Sequence, residues 1–241
     1  MHEALPLWEP LKVKCWICNE NEATSGEHAI KRSDINAVLG KPTQQSPLRL
    51  HNGKRINVPV GSLNADRLKL PGRICEYCNT TRSQPYDRSW EKLSAELRKR
   101  ADSLQHGISV RVDPIFEGNG QQELLNTHLF FVKLFGCHVA GNQISIPLEP
   151  FSSALMQGEA HLRVFLRFGF FQGRDRVEMS NMELLSFADG SPAFASWFYR
   201  VGPICVNVMY AAPGEQHAGM INSWHPSNRT SKLIMVDFDQ T

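Results

Sequence analysis

The sequence predicts an α+β protein in two parts: a zinc-stabilised domain over residues 1–107, and a mixed α+β domain with an antiparallel sheet over residues 108–241. Three observations carry this. Two Cys-x2-Cys pairs, Cys15/Cys18 and Cys75/Cys78, have 56 residues between them, too many for a short zinc finger, so a structured segment is built inside the gap. Trp90, Leu93, Leu97, Ala101 and Leu104 recur at spacings of three and four, which marks a helix over about 86–105. Beyond Gly107 the pattern changes to alternating runs, Ile108-Ser-Val-Arg-Val112 and His161-Leu-Arg-Val-Phe-Leu-Arg-Phe168, the period of strands.

Along the chain, Pro6 and Pro10 oppose regular structure in the first 14 residues. Residues 34–40 read as a short helix, with Ser33 as its N-cap and Gly40 as its stop. Leu48 to Ile56 alternates around Asn52-Gly53, a two-residue hairpin turn signal. That hairpin carries Arg49, His51, Lys54 and Arg55 near its tip; it is either an arm that contacts phosphates or a solvated hairpin. The long helix ends at His106-Gly107 and shows Arg88, Lys92, Arg98, Lys99 and Arg100 among acids on its other face. In the rear half, Gln121 to Ala140 reads as a helix that is very apolar on one side, and residues 150–157 as a short helix. Strands are expected within 176–187, 195–210 and 232–238. His128, His138, His161, His217 and His225 lack metal-ligand spacing and read as structural or surface residues. Cys137 and Cys205 lie in apolar surroundings and read as core.

Composition bounds the function. Hydrophobic residues make up 41% and charged residues 21% of 241, as in soluble globular proteins. No apolar run is long enough to span a bilayer, and the first residues lack a basic region followed by an apolar core, so neither membrane insertion nor a signal peptide is expected. Tight cysteine pairs point to metal in a reducing, cytoplasmic compartment. Residues 1–107 hold 17 Lys and Arg against 12 Asp and Glu, and residues 108–241 hold 9 against 12. A basic front half suits a polyanion such as DNA.

The chemistry is expected between the cysteine pairs. Four thiolates suit tetrahedral Zn2+. Glu27-His28 falls inside the gap and Asn79 directly follows Cys78. Neighbours on a strand face opposite ways, but at a strand end or bulge both can serve one site.

With Cys15-x2-Cys18, Glu27-His28-Ala-Ile, Cys75-x2-Cys78-Asn79 and Asp87 at the start of a helix, residues 13–100 resemble the HNH (ββα-metal) endonucleases. The similarity is to their four-cysteine zinc subgroup, which includes phage endonuclease VII. The resemblance implies a metal-dependent DNA endonuclease that hydrolyses phosphodiester bonds, in the setting of restriction or phage defence. It implies His28 as general base, Glu27 and Asn79 as ligands of a catalytic Mg2+ or Mn2+, and Cys15, Cys18, Cys75 and Cys78 as ligands of structural Zn2+. Asp87 is a further ligand or, as the expected role, the helix cap. Arg49, Lys54, Arg55 and Arg82 are candidate DNA contacts. The sequence departs from the family pattern in having Glu27 where Asp is common, Lys31 where a proline often follows, and no second histidine after Asn79.

Two other readings stand beside this one. The front half is a non-catalytic zinc module that binds nucleic acid or protein, or the rear half senses a ligand or forms a homodimer and the nuclease is its effector.

Overall fold

The computed structural model describes residues 13–51, 54–171, 176–217 and 219–240. Most of the lead-in segment and the Asn52-Gly53 turn lie outside these residues.

The front half is organised by two antiparallel strands, β1 (Ser25–His28) and β4 (Lys69–Ile74). Between them lie α1 (Arg32–Leu39) and a small hairpin of β2 (Leu48–Leu50) with β3 (Val58–Val60). α1 starts after Lys31, so Ser33 is not its cap; the Ser33 hydroxyl instead donates to Glu91, 2.9 Å away. Gly40 does stop the helix, at φ 75°. Leu50 pairs with Val58, and not with Arg55 as a two-residue turn at Asn52-Gly53 requires. The pairing partner is the apolar Val58-Pro-Val60 run, which the short basic segment after Gly53 cannot match in burial.

The helix after Cys78 opens with one π-type turn, Cys78–Arg82, and continues as α2 (Gln84–Lys99). Pro85 suits its first turn, where a missing N–H costs nothing. Trp90, Leu93 and Leu97 are buried as the stripe predicted, and a 3-10 turn at Ala101–Ser103 replaces the last expected helical turn. Ser83, not Asp87, occupies the N-cap position, which corrects the cap expected for Asp87.

In the rear half, β5 (Ser109–Arg111) precedes α3 (Gly120–Asn142) and α4 (Glu149–Gln157). The main sheet holds β6 (Val164–Phe170), β7 (Val177–Met179), β8 (Glu183–Ser186), β9 (Pro192–Val201) and β10 (Ile204–Ala211). β11 (Lys232–Ile234) pairs back onto β5, and β12 (Val236–Asp237) joins the sheet edge. The sheet order is β12-β6-β10-β9-β7, with β8 also on β9. All of its pairs are antiparallel except β12 with β6.

α3 is the spine. The sequence pattern suggests one apolar side, but every residue from Leu129 to Val139 is buried. A helix apolar all round is buried all round, and α3 lies between β4 and α2 on one side and the sheet on the other. Phe131 packs edge-on to Trp90, with ring centroids 4.9 Å apart, and also meets Tyr199 at 5.6 Å. Two glycines permit the close approach. A Cβ on Gly136 would lie 2.2 Å from the Trp16 ring, and one on Gly141 would lie 2.3 Å from the Gly72 nitrogen. One cluster of buried side chains therefore runs from Cys15 and Ile74 through Trp90 and Phe131 to Tyr199 and Val208. The boundary expected at 107/108 does not divide the core, because the rear-half helix supplies the front half's floor.

Asp34 ties these layers together. Its buried carboxylate accepts from Trp90 Nε1 at 2.7 Å, Ser94 Oγ at 2.9 Å, Arg98 at 2.9 Å and Tyr199 OH at 2.9 Å. Tyr199 OH in turn accepts from the Lys31 backbone N–H at 2.9 Å. This fixes the chain just after His28.

Candidate metal centre and active site

The four expected thiols meet. Cys15, Cys18, Cys75 and Cys78 have their sulfurs within 4.8 Å of one another, an arrangement able to hold a metal such as zinc. Cys15, Cys75 and Cys78 are buried. Burial opposes ionisation of Cys18, but N–H groups of Asn21 and Glu20 and the Cys75 and Cys78 thiols bring it down to about 7. Burial and the neighbouring thiols push Cys78 up. Four thiols that cannot all ionise alone are the donor set that a soft-tolerant cation relieves.

A cleft of about 490 Å³ lies beside this cluster, lined among others by Glu27, His28, Lys31, Arg32, Asn79, Asp87 and Arg88. Glu27 and His28 both reach it because the β1–β4 register shifts between Gly26 and His28. Such an irregularity re-aims side chains that alternation would separate. The cysteine pairs bring Asn79 to the same place. Cys78 ends the knuckle, and Asn79 is the next residue in the π-type turn.

Each candidate residue has at least one polar atom engaged. His28 Nε2 lies 2.8 Å from the Leu63 carbonyl oxygen. A carbonyl only accepts, so Nε2 carries the proton and Nδ1 is the basic nitrogen. Burial lowers the His28 pKa, partly offset by the Leu63 carbonyl and Glu27, so the ring is neutral at pH 7. Asn79 Nδ2 donates to Ser25 Oγ at 2.8 Å, which leaves Oδ1 as its acceptor. Glu27 is buried, and its Oε2 lies 2.9 Å from Lys133 Nζ. Asp87 Oδ1 lies 3.0 Å from the same Nζ and 3.4 Å from Lys31 Nζ.

Among the described residues, the four cysteines alone form a group of three or more Cys, His, Asp or Glu ligand atoms within 4.8 Å. Glu27, His28 and Asp87 do not converge that closely. The oxygen atoms present fit a hard cation held by one or two protein ligands, with water completing its shell.

A second cleft of about 560 Å³ adjoins the first through Arg32 and Ser33 and is lined by Asn36, Lys41, Gly61 and Leu63 among others. Arg32 donates to Asn64 there at 2.7 Å. Of the candidate DNA contacts, Arg49, Lys54 and Arg55 are exposed but line neither cleft. Arg82 stacks over the Tyr77 ring, 5.5 Å from its centroid. The cations of the clefts are Lys31, Arg32, Lys41 and Arg88 instead.

Lys133 is the residue that sequence reasoning missed. Its signal is present, as the one charge within the apolar run Leu129 to Val139. Its Nζ is buried and meets Glu27, Asp87 and, at 3.1 Å, Ser83 Oγ. Burial works against its charge, but the two carboxylates outweigh burial and push its pKa up.

No known protein family, curated protein or solved structure matches the chain. Among the described residues, no helix is long and apolar enough to cross a membrane.

Proposed function

We propose that the chain is a metal-dependent DNA endonuclease whose general base is His28. The observation that carries this is the Leu63 carbonyl on Nε2, which makes Nδ1 the basic nitrogen of the neutral ring, in a cleft shared with Glu27 and Asn79. A base for neutral pH needs this state. His28 Nδ1 takes a proton from a water. The resulting oxygen attacks the scissile phosphorus, the bond to the leaving oxygen breaks, and that oxygen takes a proton from solvent. Glu27 and Asn79 hold one Mg2+ or Mn2+, which when bound offsets negative charge on the phosphate and leaving oxygen. Zn2+ at the four cysteines holds the two knuckles, and so fixes the spacing between β1 and Asn79. Lys31, Arg32, Lys41 and Arg88 supply positive charge along the clefts for the phosphate backbone.

The test is cleavage of supercoiled, linear and branched DNA with Mg2+ or Mn2+. His28→Ala abolishes cutting while DNA binding and zinc content persist. A His28→Ala protein that cuts like wild type removes His28 as the base.

One observation favours the non-catalytic alternative: Lys133 already satisfies Glu27 and Asp87, as a purely structural ion cluster does. Wild-type protein that binds DNA and zinc but cuts no DNA with either cation decides for that reading.

A further inference from the structure

Lys133 belongs to the rear-half helix α3, yet it touches the proposed centre at three points. A lysine ammonium has three N–H donors. Glu27 Oε2 at 2.9 Å, Asp87 Oδ1 at 3.0 Å and Ser83 Oγ at 3.1 Å match them one for one. No donor is left for a phosphate oxygen, so Lys133 is not a substrate contact. Ser83 Oγ in turn donates to the Asn79 carbonyl oxygen at 2.9 Å. One buried ammonium thus holds Glu27 directly and Asn79 through Ser83, which are the two cation ligands of the proposed nuclease.

The charges around it are close to balanced. Lys31, Arg32, Arg88 and Lys133 face Glu27, Asp87 and Glu91, four positive groups against three negative. Glu91 also pairs with Lys31 at 3.4 Å. A free divalent cation entering this cleft meets no net negative charge. A phosphodiester brings one, together with oxygens that can complete the shell of a hard cation.

We propose that Lys133 is a positioning residue that fixes the cation ligands and cancels their charge, so that the divalent cation binds firmly only together with a DNA phosphate. This rests on Glu27 and Asn79 being the cation ligands. Cation and DNA then bind cooperatively, and by linkage each raises the other's affinity by the same factor. The device keeps the centre short of its catalytic cation until a phosphate backbone lies in the cleft.

The test measures Mn2+ binding by electron paramagnetic resonance and calorimetry on the zinc-loaded full chain. A His28→Ala background keeps the DNA duplex intact. Without DNA, Mn2+ binds weakly; with duplex DNA, its affinity rises about tenfold or more. Lys133→Gln keeps amide donors but loses the charge. It raises DNA-free Mn2+ affinity about tenfold and shrinks the coupling with DNA. Lys133→Met does the same and also disorders the ligands, so its Mn2+ spectrum broadens. DNA-free affinity unchanged in Lys133→Gln overturns the proposal. If neither variant folds, the His28→Ala protein with Lys133 in place decides: Mn2+ held as tightly without DNA as with it overturns the proposal, and coupled binding supports it. A His28→Ala protein, with Lys133 in place, that binds no Mn2+ in either state defeats the nuclease reading itself, which is a different failure.

Discussion

Acid should destabilise this fold through three buried histidines, and the size of the effect follows from their surroundings. Burial lowers His128 to about 3, and lowers His138 and His161 to about 4 each. His128 also faces the rings of His225 and His161, and only the Val164 carbonyl favours its charged form. The folded pKa lies below the unfolded value near 6.5, so below pH 6.5 the unfolded chain binds protons that the folded chain refuses. Stability is then full above about pH 6.5 and falls as pH drops toward 4. At pH 5.5 each such histidine contributes a loss of about 1.4 kcal/mol, and the three together about 4 kcal/mol relative to pH 7.5. That is a large share of the 5–15 kcal/mol typical of a domain. Urea unfolding at pH 7.5, 6.5 and 5.5 measures it. Acid also weakens metal binding by thiolates, so the histidine share is read from a variant. His138 is buried against Trp197, with ring centroids 5.4 Å apart, and His138→Leu keeps that apolar contact. The variant should lose about 1.4 kcal/mol less than wild type between pH 7.5 and 5.5. The same pH dependence in both proteins refutes the reasoning.

Other outcomes follow from particular contacts. Asp34→Ala leaves Arg98 without its buried counter-ion and strips Trp90 and Tyr199 of their acceptor; a loss of about 3–5 kcal/mol is expected in denaturant unfolding. Cys75→Ser should lower zinc content from about one ion per chain and unfold the zinc knuckles, because metal binding and folding are coupled; unchanged zinc content by elemental analysis contradicts the four-cysteine site. Gly141→Ala forces a methyl group to 2.3 Å from the Gly72 nitrogen, so β4 must move off α3 at a cost of about 1–3 kcal/mol. Its thermal midpoint should fall, while Gly40→Ala, with open space at its Cβ, is strained only by its φ.

Much of the architecture is legible in the sequence because it depends on short-range patterns. The spacing of Trp90, Leu93 and Leu97 sets the buried face of α2, and alternation from 161 to 168 marks β6, because helix and strand periods are properties of the local backbone. The Cys-x2-Cys pairs similarly announce two tight turns able to share one ion. The hairpin is legible only in part. Asn52-Gly53 is a strong turn signal, yet the observed register pairs Leu50 with Val58, and Val60 is buried. Ser33 reads as a cap, but its hydroxyl is drawn to Glu91 on another helix.

What the sequence determined by itself is the inventory of the centre: four thiols in two knuckles, an acid next to a histidine, and an asparagine one residue past the last cysteine. These groups are near one another along the chain or are joined by a recognisable spacing. Tertiary structure alone decided their partners. The Leu63 carbonyl that selects the His28 tautomer is 35 residues away, and Lys133 lies 106 residues beyond Glu27. No periodicity links such positions. They meet because α3 is apolar on every side, carries glycines where Trp16 and Gly72 approach, and is buried between the sheet and the cysteine knuckles. Burying that helix also buries its lysine, and a buried ammonium has to find carboxylates. The Glu27–Lys133–Asp87 cluster is the result.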